Sequence, residues 1–223
     1  MNAQTILRNA LVSTLLLTSS YSAFAETNSP QKNIANSKIS LSSNFGEIVG
    51  DFNSPDGMVV GATLPGKNVI FKIPVQKNSP QYLHFAFMHA ASGQKGWYFA
   101  PKSEYGIYLM PMKIGQTKDI SQEIAIFEAP NASTAKKVTQ STNNLEFAQA
   151  NKFMQATVMQ KNGYYIVNIK NTSSGKYETP FSSGVWATSH MKMKGFDHMP
   201  SAALSTLATS GHRDPLVKAV QSK

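Results

Sequence analysis

Histidine and methionine, which carry soft side-chain donors, are concentrated in three short segments of this sequence. Four of the five histidines and six of the ten methionines fall in these segments. Thioether sulfur and imidazole nitrogen are the donors that Cu(I) and haem iron accept in proteins. The sequence therefore predicts a soft-metal or haem site built from these residues: His84, Met88 and His89; Met110 and Met112; His190, Met191, Met193, His198 and Met199.

Strand geometry limits which of these side chains can share one ion. Residues two apart on a strand lie on one face at ~7 Å, whereas residues four apart are separated by ~13 Å. Met110 can therefore act together with Met112, but Met88 and His89 point to opposite faces of a strand. The strand residues also have a structural interpretation, because methionine fills gaps in cores and a buried histidine is usually hydrogen-bonded.

The segment from His190 to Met199 has a different composition. Lysine, glycine and aspartate make it polar, which favours a loop, and binding residues are often displayed on loops. We expect this loop to provide the metal ligands, with Cu(I) or haem b as the cofactor and a redox or metal-handling protein as the partner. The predicted ligands are His190, Met191, Met193, His198 and Met199.

Motifs of the common enzyme classes are absent from the sequence. It contains no Gly-x-Ser-x-Gly, no His-Glu-x-x-His, no P-loop and no Gly-x-Gly-x-x-Gly. It also contains no cysteine, which removes thiolate catalysis, zinc fingers and blue copper sites. A non-enzymatic binding protein is therefore the favoured class.

The N-terminal residues predict export. Residues 1–25 combine a cationic Arg8, an apolar run from Ala10 to Leu17 and the small-x-small site Ala23-Phe24-Ala25, which are the parts of a secretory signal peptide. Residues 26–38 are polar, so we expect a flexible leader there. No later stretch is apolar for long enough to predict a transmembrane span. The mature protein is expected in the periplasm or outside the cell.

The net charge of the mature chain is strongly positive. Removing Arg8 with the signal peptide leaves 20 of the 21 basic residues against 12 acidic residues, a net charge of +8. The lysines are spread along the chain without a basic run and without regularly interleaved aromatic residues. This distribution favours a solvated basic surface over nucleic-acid binding.

Short apolar runs separated by Gly, Pro, Asn and Ser predict an all-β fold. The run from Tyr82 to Ala91 has apolar bulk on both faces, which predicts a central strand. Asn162-Gly163 predicts the type I′ turn of a hairpin. Residues Ser201 to Ala208, and a second segment that starts at Asp214-Pro215, predict two short helices over one end of the fold. We expect residues 39–223 to form a single antiparallel β-sandwich domain with these two short C-terminal helices.

Part of this strand pattern resembles a known family. The run from Tyr82 to His89, the strand from Tyr105 to Met112, and the later segments Asn162 to Ile169 and Gly184 to Trp186 are similar to DOMON-type haem-binding β-sandwiches, such as the haem subunit of ethylbenzene dehydrogenase. In that family a strand residue and a late-loop residue clamp a haem b. The resemblance implies that the first ligand is Met88 or His89, and that the second is His198, Lys192 or Lys194.

A metal-free function is the alternative. In this interpretation the chain is a protein-interaction module of the adhesin or inhibitor type, and its histidines are structural. The contact patch would be aromatic and formed by Trp97, Tyr98, Phe99 and Trp186. Large aromatic side chains contribute much of the contact energy in protein interfaces.

Overall fold

The computed structural model describes residues 45–76, 79–142 and 144–221. The predicted signal peptide, the predicted leader and the start of the predicted domain at residues 39–44 lie outside the described residues. The strands in chain order are β1 (Phe45–Ile48), β2 (Phe52–Asn53), β3 (Val60–Ala62), β4 (Asn68–Pro74), β5 (Gln81–His89), β6 (Trp97–Pro101), β7 (Ile107–Leu109), β8 (Thr117–Asp119), β9 (Ile124–Glu128), β10 (Lys136–Lys137), β11 (Met154–Lys161), β12 (Tyr164–Asn171) and β13 (Phe181–Ser189).

Two antiparallel sheets pack face to face, which confirms the predicted β-sandwich. The first sheet has seven strands in the order β1-β13-β5-β6-β9-β10, with β7 also paired to β5. The second has four strands in the order β4-β12-β11-β8, and β2 with β3 forms a small ribbon. Apolar side chains of both sheets meet between them, and the rings of Phe71 and Trp186 stack there with centroids 6.0 Å apart. Burial of this shared core is the main favourable contribution to the fold.

The hairpin formed by β11 and β12 turns where the sequence predicts it. Asn162 and Gly163 have φ angles of 52° and 78°, the two positive values that a type I′ turn requires. The strands then pair in register from Lys161 opposite Tyr164 to Met154 opposite Asn171. The turn chemistry therefore fixes the register of the longest hairpin.

Strand β5 is central, as its sequence predicts. It pairs with β13 on one side and with β6 and β7 on the other. Its odd-numbered side chains, including Phe85 and Phe87, belong to the core between the sheets. Ala86 lies on the opposite face in a second apolar cluster. Both faces of β5 are consequently covered.

Two short helices cover the outer face of the first sheet: α1 (Ala202–Ser210) and α2 (Asp214–Gln221). Ser201 caps α1, because its Oγ accepts a hydrogen bond from the Leu204 amide at 3.1 Å. The helices bury Leu204, Leu207 and Leu216 against the outer face of the first sheet, so the expectation that they cover one end of the sandwich is wrong. No helix in the described residues has the length and apolar character of a membrane span.

Candidate functional site

The strand residues predicted to bind haem lie in separate packed environments. Met88 is fully buried and packs in a small cluster with Val59 and Ala62. His89 faces the core between the sheets, where its ring contacts Phe99 and Phe153 at centroid distances of 5.6 and 5.2 Å. Burial lowers the pKa of His89 to about 4. The ring is therefore a neutral core group at neutral pH.

The loop residue predicted as second haem ligand, His198, lies on the helix-covered face. Its ring packs against Phe127 with centroids 4.5 Å apart, and its Nε2 donates to the carbonyl of Pro101 at 2.8 Å. Across this face Met88 is paired with Tyr98, and Tyr98 with Phe127. Since neighbouring strands are ~4.8 Å apart, ~10 Å of sheet and two aromatic rings separate Met88 from the strand beneath His198.

A haem b does not fit this arrangement. His89 and His198 lie on opposite faces of the first sheet, and buried aromatic rings fill the row that leads from Met88 to His198. Lys192, one proposed alternative ligand, instead forms an ion pair with Glu104 at 2.5 Å. The structure does not bring the predicted haem ligands together.

The predicted aromatic contact patch is also not formed. Trp97, Tyr98 and Phe99 are completely buried, and Trp186 is only 5% exposed. Strand β6 is an interior strand, so successive side chains enter the two apolar clusters on opposite faces. These residues stabilise the fold, and the prediction that they form an exposed patch is wrong.

The His190–Met199 segment is a loop, as predicted, and it displays several of its soft donors. His190, Met191 and Met199 are exposed, and Met193 packs at the edge of the cluster beneath the helices. Contacts at both ends attach the loop to the body of the protein. Lys192 pairs with Glu104 near the start, and near the end Ser201 Oγ donates to the Gly195 carbonyl at 2.9 Å.

A buried histidine–aspartate pair forms the strongest attachment of this loop. His84 on β5 lies with its Nδ1 2.7 Å from Oδ2 of Asp197, and both side chains are at most 1% exposed. The Tyr98 hydroxyl donates to the Asp197 carbonyl at 2.7 Å. Burial, together with the nearby Asp197 charge, raises the pKa of Tyr98 well above its ordinary value. The interpretation of His84 as a hydrogen-bonded core histidine is confirmed.

The partner of His84 determines which ring nitrogen carries the proton. A carboxylate oxygen only accepts, so we assign a proton to Nδ1, which leaves Nε2 as the ring nitrogen that does not contact Asp197. Nε2 is buried and has no hydrogen-bond partner among the described residues, and the same is true of Asp197 Oδ1. No hydroxyl nucleophile of the described residues is therefore bonded to this histidine, unlike the arrangement in a hydrolytic triad.

Gly106 keeps Nε2 of His84 free of a covering side chain. It has a φ of 86°, and a Cβ at this position would lie 2.9 Å from Nε2. Tyr105, next to it, lies under the ammonium group of Lys192 at 5.3 Å from the ring centroid. The loop that carries the methionines is thus attached on either side of this region, at Lys192 and at Asp197.

These residues have the donor chemistry of a soft-metal site. Metal-binding histidines typically donate one ring N–H to a carboxylate or carbonyl and bind the metal through the other nitrogen. Two histidines have the carboxylate or carbonyl partner of this pattern: one ring nitrogen of His84 contacts Asp197, and one of His198 contacts the Pro101 carbonyl. In the described parts of the chain no three His, Asp or Glu side chains cluster to hold a metal, so further donors would be thioethers.

Sequence reasoning identified the loop but missed the pair that anchors it. Asp197 was not predicted to contact His84, and the sequence offers only a weak signal, a lone acid within an otherwise cationic loop. Two surface recesses of about 290 and 220 Å³ are lined by other residues and contain none of the predicted ligands. Comparisons with protein families, with curated proteins and with solved structures found no match.

Proposed function

We propose that this chain is an exported, non-enzymatic binding protein for a soft metal ion, Cu(I), with its site where the His190–Met199 loop crosses His84. The observation that supports it most is the buried, unpartnered Nε2 of His84, whose ring is oriented through Nδ1 by Asp197. A buried nitrogen without a partner is costly to the fold. A bound cation would satisfy it.

The remaining donors come from the loop. Met193 is partly buried and belongs to the loop stretch between Lys192, attached beside Gly106, and Asp197, attached to His84. We therefore propose Met193 as the thioether ligand that acts together with Nε2 of His84. His190 and Met191 are exposed just before Lys192, whereas His198 and Met199 follow Asp197 and would act from the side of Pro101.

The donor set favours Cu(I) over harder ions. Thioether and imidazole ligands suit Cu(I), whereas Mg²⁺ and Ca²⁺ require several oxygen ligands. Bound Cu(I) would either be stored or take part in one-electron transfer. A redox or metal-handling protein in the periplasm or outside the cell would be the partner. The protein's own residues fix the ring of His84 and shield the site beneath the loop.

Competition with a chromogenic Cu(I) chelator under anaerobic conditions tests this function. Met193→Leu keeps the volume of the side chain and removes its sulfur, and we expect at least a tenfold weaker affinity. The matched control is Met159→Leu, on the outer face of the second sheet, where Met159 pairs with Ile166. Unchanged affinity in Met193→Leu, or no binding by the wild-type protein, would refute the assignment.

Gly106→Ala gives a second test, because the added methyl group would cover Nε2 of His84. The strain of its positive φ is matched by Gly115→Ala, since Gly115 has a similar φ of 82° with no atom within 4 Å of its Cβ position; the Cβ of Gly106→Ala would in addition lie 2.8 Å from the Leu83 carbonyl oxygen, so its unfolding midpoint is measured alongside binding. We expect loss of Cu(I) binding in Gly106→Ala alone. A Soret band in the freshly purified protein would instead support the haem b function that the family resemblance implies.

A further inference from the structure

One end of the sandwich combines positive charge with exposed apolar side chains. Several connections meet there, because Thr117 pairs with Met159, Leu109 with Gln81, and Ser189 with Tyr82. These pairings place at one end the β7–β8 loop (110–116), the β11–β12 turn (161–163) and the start of the loop after β13 (190–195). We call this surface the hairpin end.

The hairpin end contains only basic charges of its own. None of its three segments contains Asp or Glu in the sequence, whereas Lys113, Lys161, Lys192 and Lys194 all lie within them. Lys192 is compensated by Glu104. Lys113 and Lys161 are exposed, and the mature chain as a whole is strongly cationic. The surface is therefore complementary to a negatively charged partner.

The most exposed large apolar side chain of the described residues stands at the tip of this end. Ile114 is 86% exposed, and Met110 in the same loop is 43% exposed. Ile114 occupies the second position of a tight turn, in which the Gln116 amide donates to the Lys113 carbonyl at 2.9 Å. The turn presents the isoleucine outward beside a lysine.

Hydrogen bonds fix this tip to the second sheet. The Gly115 amide donates to the Gln160 carbonyl at 3.2 Å, and the Met112 amide donates to Oε1 of Gln160 at 2.8 Å. The loop thus holds the apolar side chain of Ile114 in contact with water, which is unfavourable in free energy. A partner that buries this side chain would remove the unfavourable contact with water.

We propose that the hairpin end binds the surface of an anionic phospholipid membrane, with Ile114 and Met110 entering the interface and Lys113 and Lys161 contacting lipid phosphates. Apolar side chains flanked by lysines are the combination that peripheral proteins use at acidic bilayers. A nucleic-acid backbone would engage the lysines but would leave Ile114 in water. This inference goes beyond metal binding, and none of the four residues assigned to the membrane contact is among the ligands proposed above for Cu(I).

Vesicle flotation with the mature protein tests the proposal. Vesicles that contain phosphatidylglycerol are compared with vesicles of phosphatidylcholine alone, at low and at physiological salt. We expect binding to the anionic vesicles only, weakened by salt because the exposed charges are screened. Equal binding to both compositions, or binding to neither, would overturn the proposal; the latter result would leave a protein or a cell-wall polymer as the occupant.

Matched variants locate the contact. Ile114→Ser should weaken partition roughly tenfold, because it removes a side chain buried in the interface. The control is Ile70→Ser, since Ile70 is 55% exposed on the outer face of the second sheet. Equal losses in both variants, or no loss in Ile114→Ser, would overturn the assignment.

The charge contribution is tested in the same way. The double variant Lys113→Gln, Lys161→Gln should lose roughly fivefold in affinity per lysine. Lys67→Gln, Lys170→Gln removes the same charge at the opposite end of the sandwich, near the start of β4. If this control loses as much affinity as the first pair, the binding is a property of net charge and the hairpin end is not the site.

Discussion

Removing the carboxyl group of Asp197 should destabilise the protein far more than removing an exposed carboxyl group. Asp197→Ala takes away the acceptor of the His84 Nδ1–H, at 2.7 Å in a site at most 1% exposed. A buried donor left without a partner costs ~1–3 kcal/mol, and breaking a buried pair by deleting one member costs ~3–5 kcal/mol. We expect the free energy of unfolding to fall by about 3 kcal/mol.

Urea unfolding followed by tryptophan fluorescence measures this loss, because both Trp97 and Trp186 are buried in the core. The control is Asp51→Ala at an exposed position, for which a change within ~0.5 kcal/mol is expected. Asp197→Asn, which retains an acceptor oxygen, should fall between the two. A loss below ~1 kcal/mol in Asp197→Ala would show that the pair does not anchor the loop, and the proposed orientation of His84 would fail with it.

Two further predictions concern the core. Burial lowers the pKa of His89 from 6.5 to about 4, so the unfolded chain takes up the proton at higher pH than the folded chain. The free energy of unfolding should therefore fall by about 3 kcal/mol as the pH drops from 6.5 to 4. A series of urea unfolding curves at different pH measures this loss, and His89→Phe should lack this contribution. The same pH dependence in the wild-type protein and in His89→Phe would contradict the prediction. Gly184→Ala should cost about 2 kcal/mol by the same assay, because its Cβ would lie 2.4 Å from the Ala86 carbonyl oxygen, and an unchanged midpoint would show that the two strands can separate there.

Local patterns predicted the parts of the fold that depend on near neighbours. Asn162-Gly163 specified the hairpin turn, because positive φ angles are a property of a few adjacent residues. The composition of Ser201 to Ala208 likewise predicted a helix there. The bulk on both faces of β5 likewise predicted a covered central strand.

The position of the helices could not be predicted from their own sequence. They lie on the outer face of the first sheet because small side chains there, Ala86, Ala125 and Ala187, let a helix approach closely. These alanines lie on three different strands, and only the strand order brings them together. The same cause explains the error about Trp97 to Phe99, since whether an aromatic run is exposed depends on the strands beside it.

The candidate site was predictable in composition but not in geometry. The clustering of methionine and histidine identified the loop from His190 to Met199, and the donor types indicated soft-metal chemistry. The contact between His84 and Asp197 joins distant parts of the sequence, so no local spacing encodes it. Only the fold shows that the buried, unpartnered Nε2 of His84 belongs to a ring held by Asp197, whereas His89, whose Nε2 is also buried and unpartnered, is enclosed by aromatic rings.

The position of strand β13 has a consequence for how the chain folds during synthesis. Strand β13 lies between β1 and β5 and pairs with both, so the middle of the first sheet cannot close until the C-terminal residues are available. A chain that emerges from its N-terminus first exposes the edges of β1 and β5 throughout that interval, and unpaired edges promote aggregation. The first sheet therefore closes only after β13 has emerged, and until then a chaperone that covers the open edges of β1 and β5 would limit aggregation.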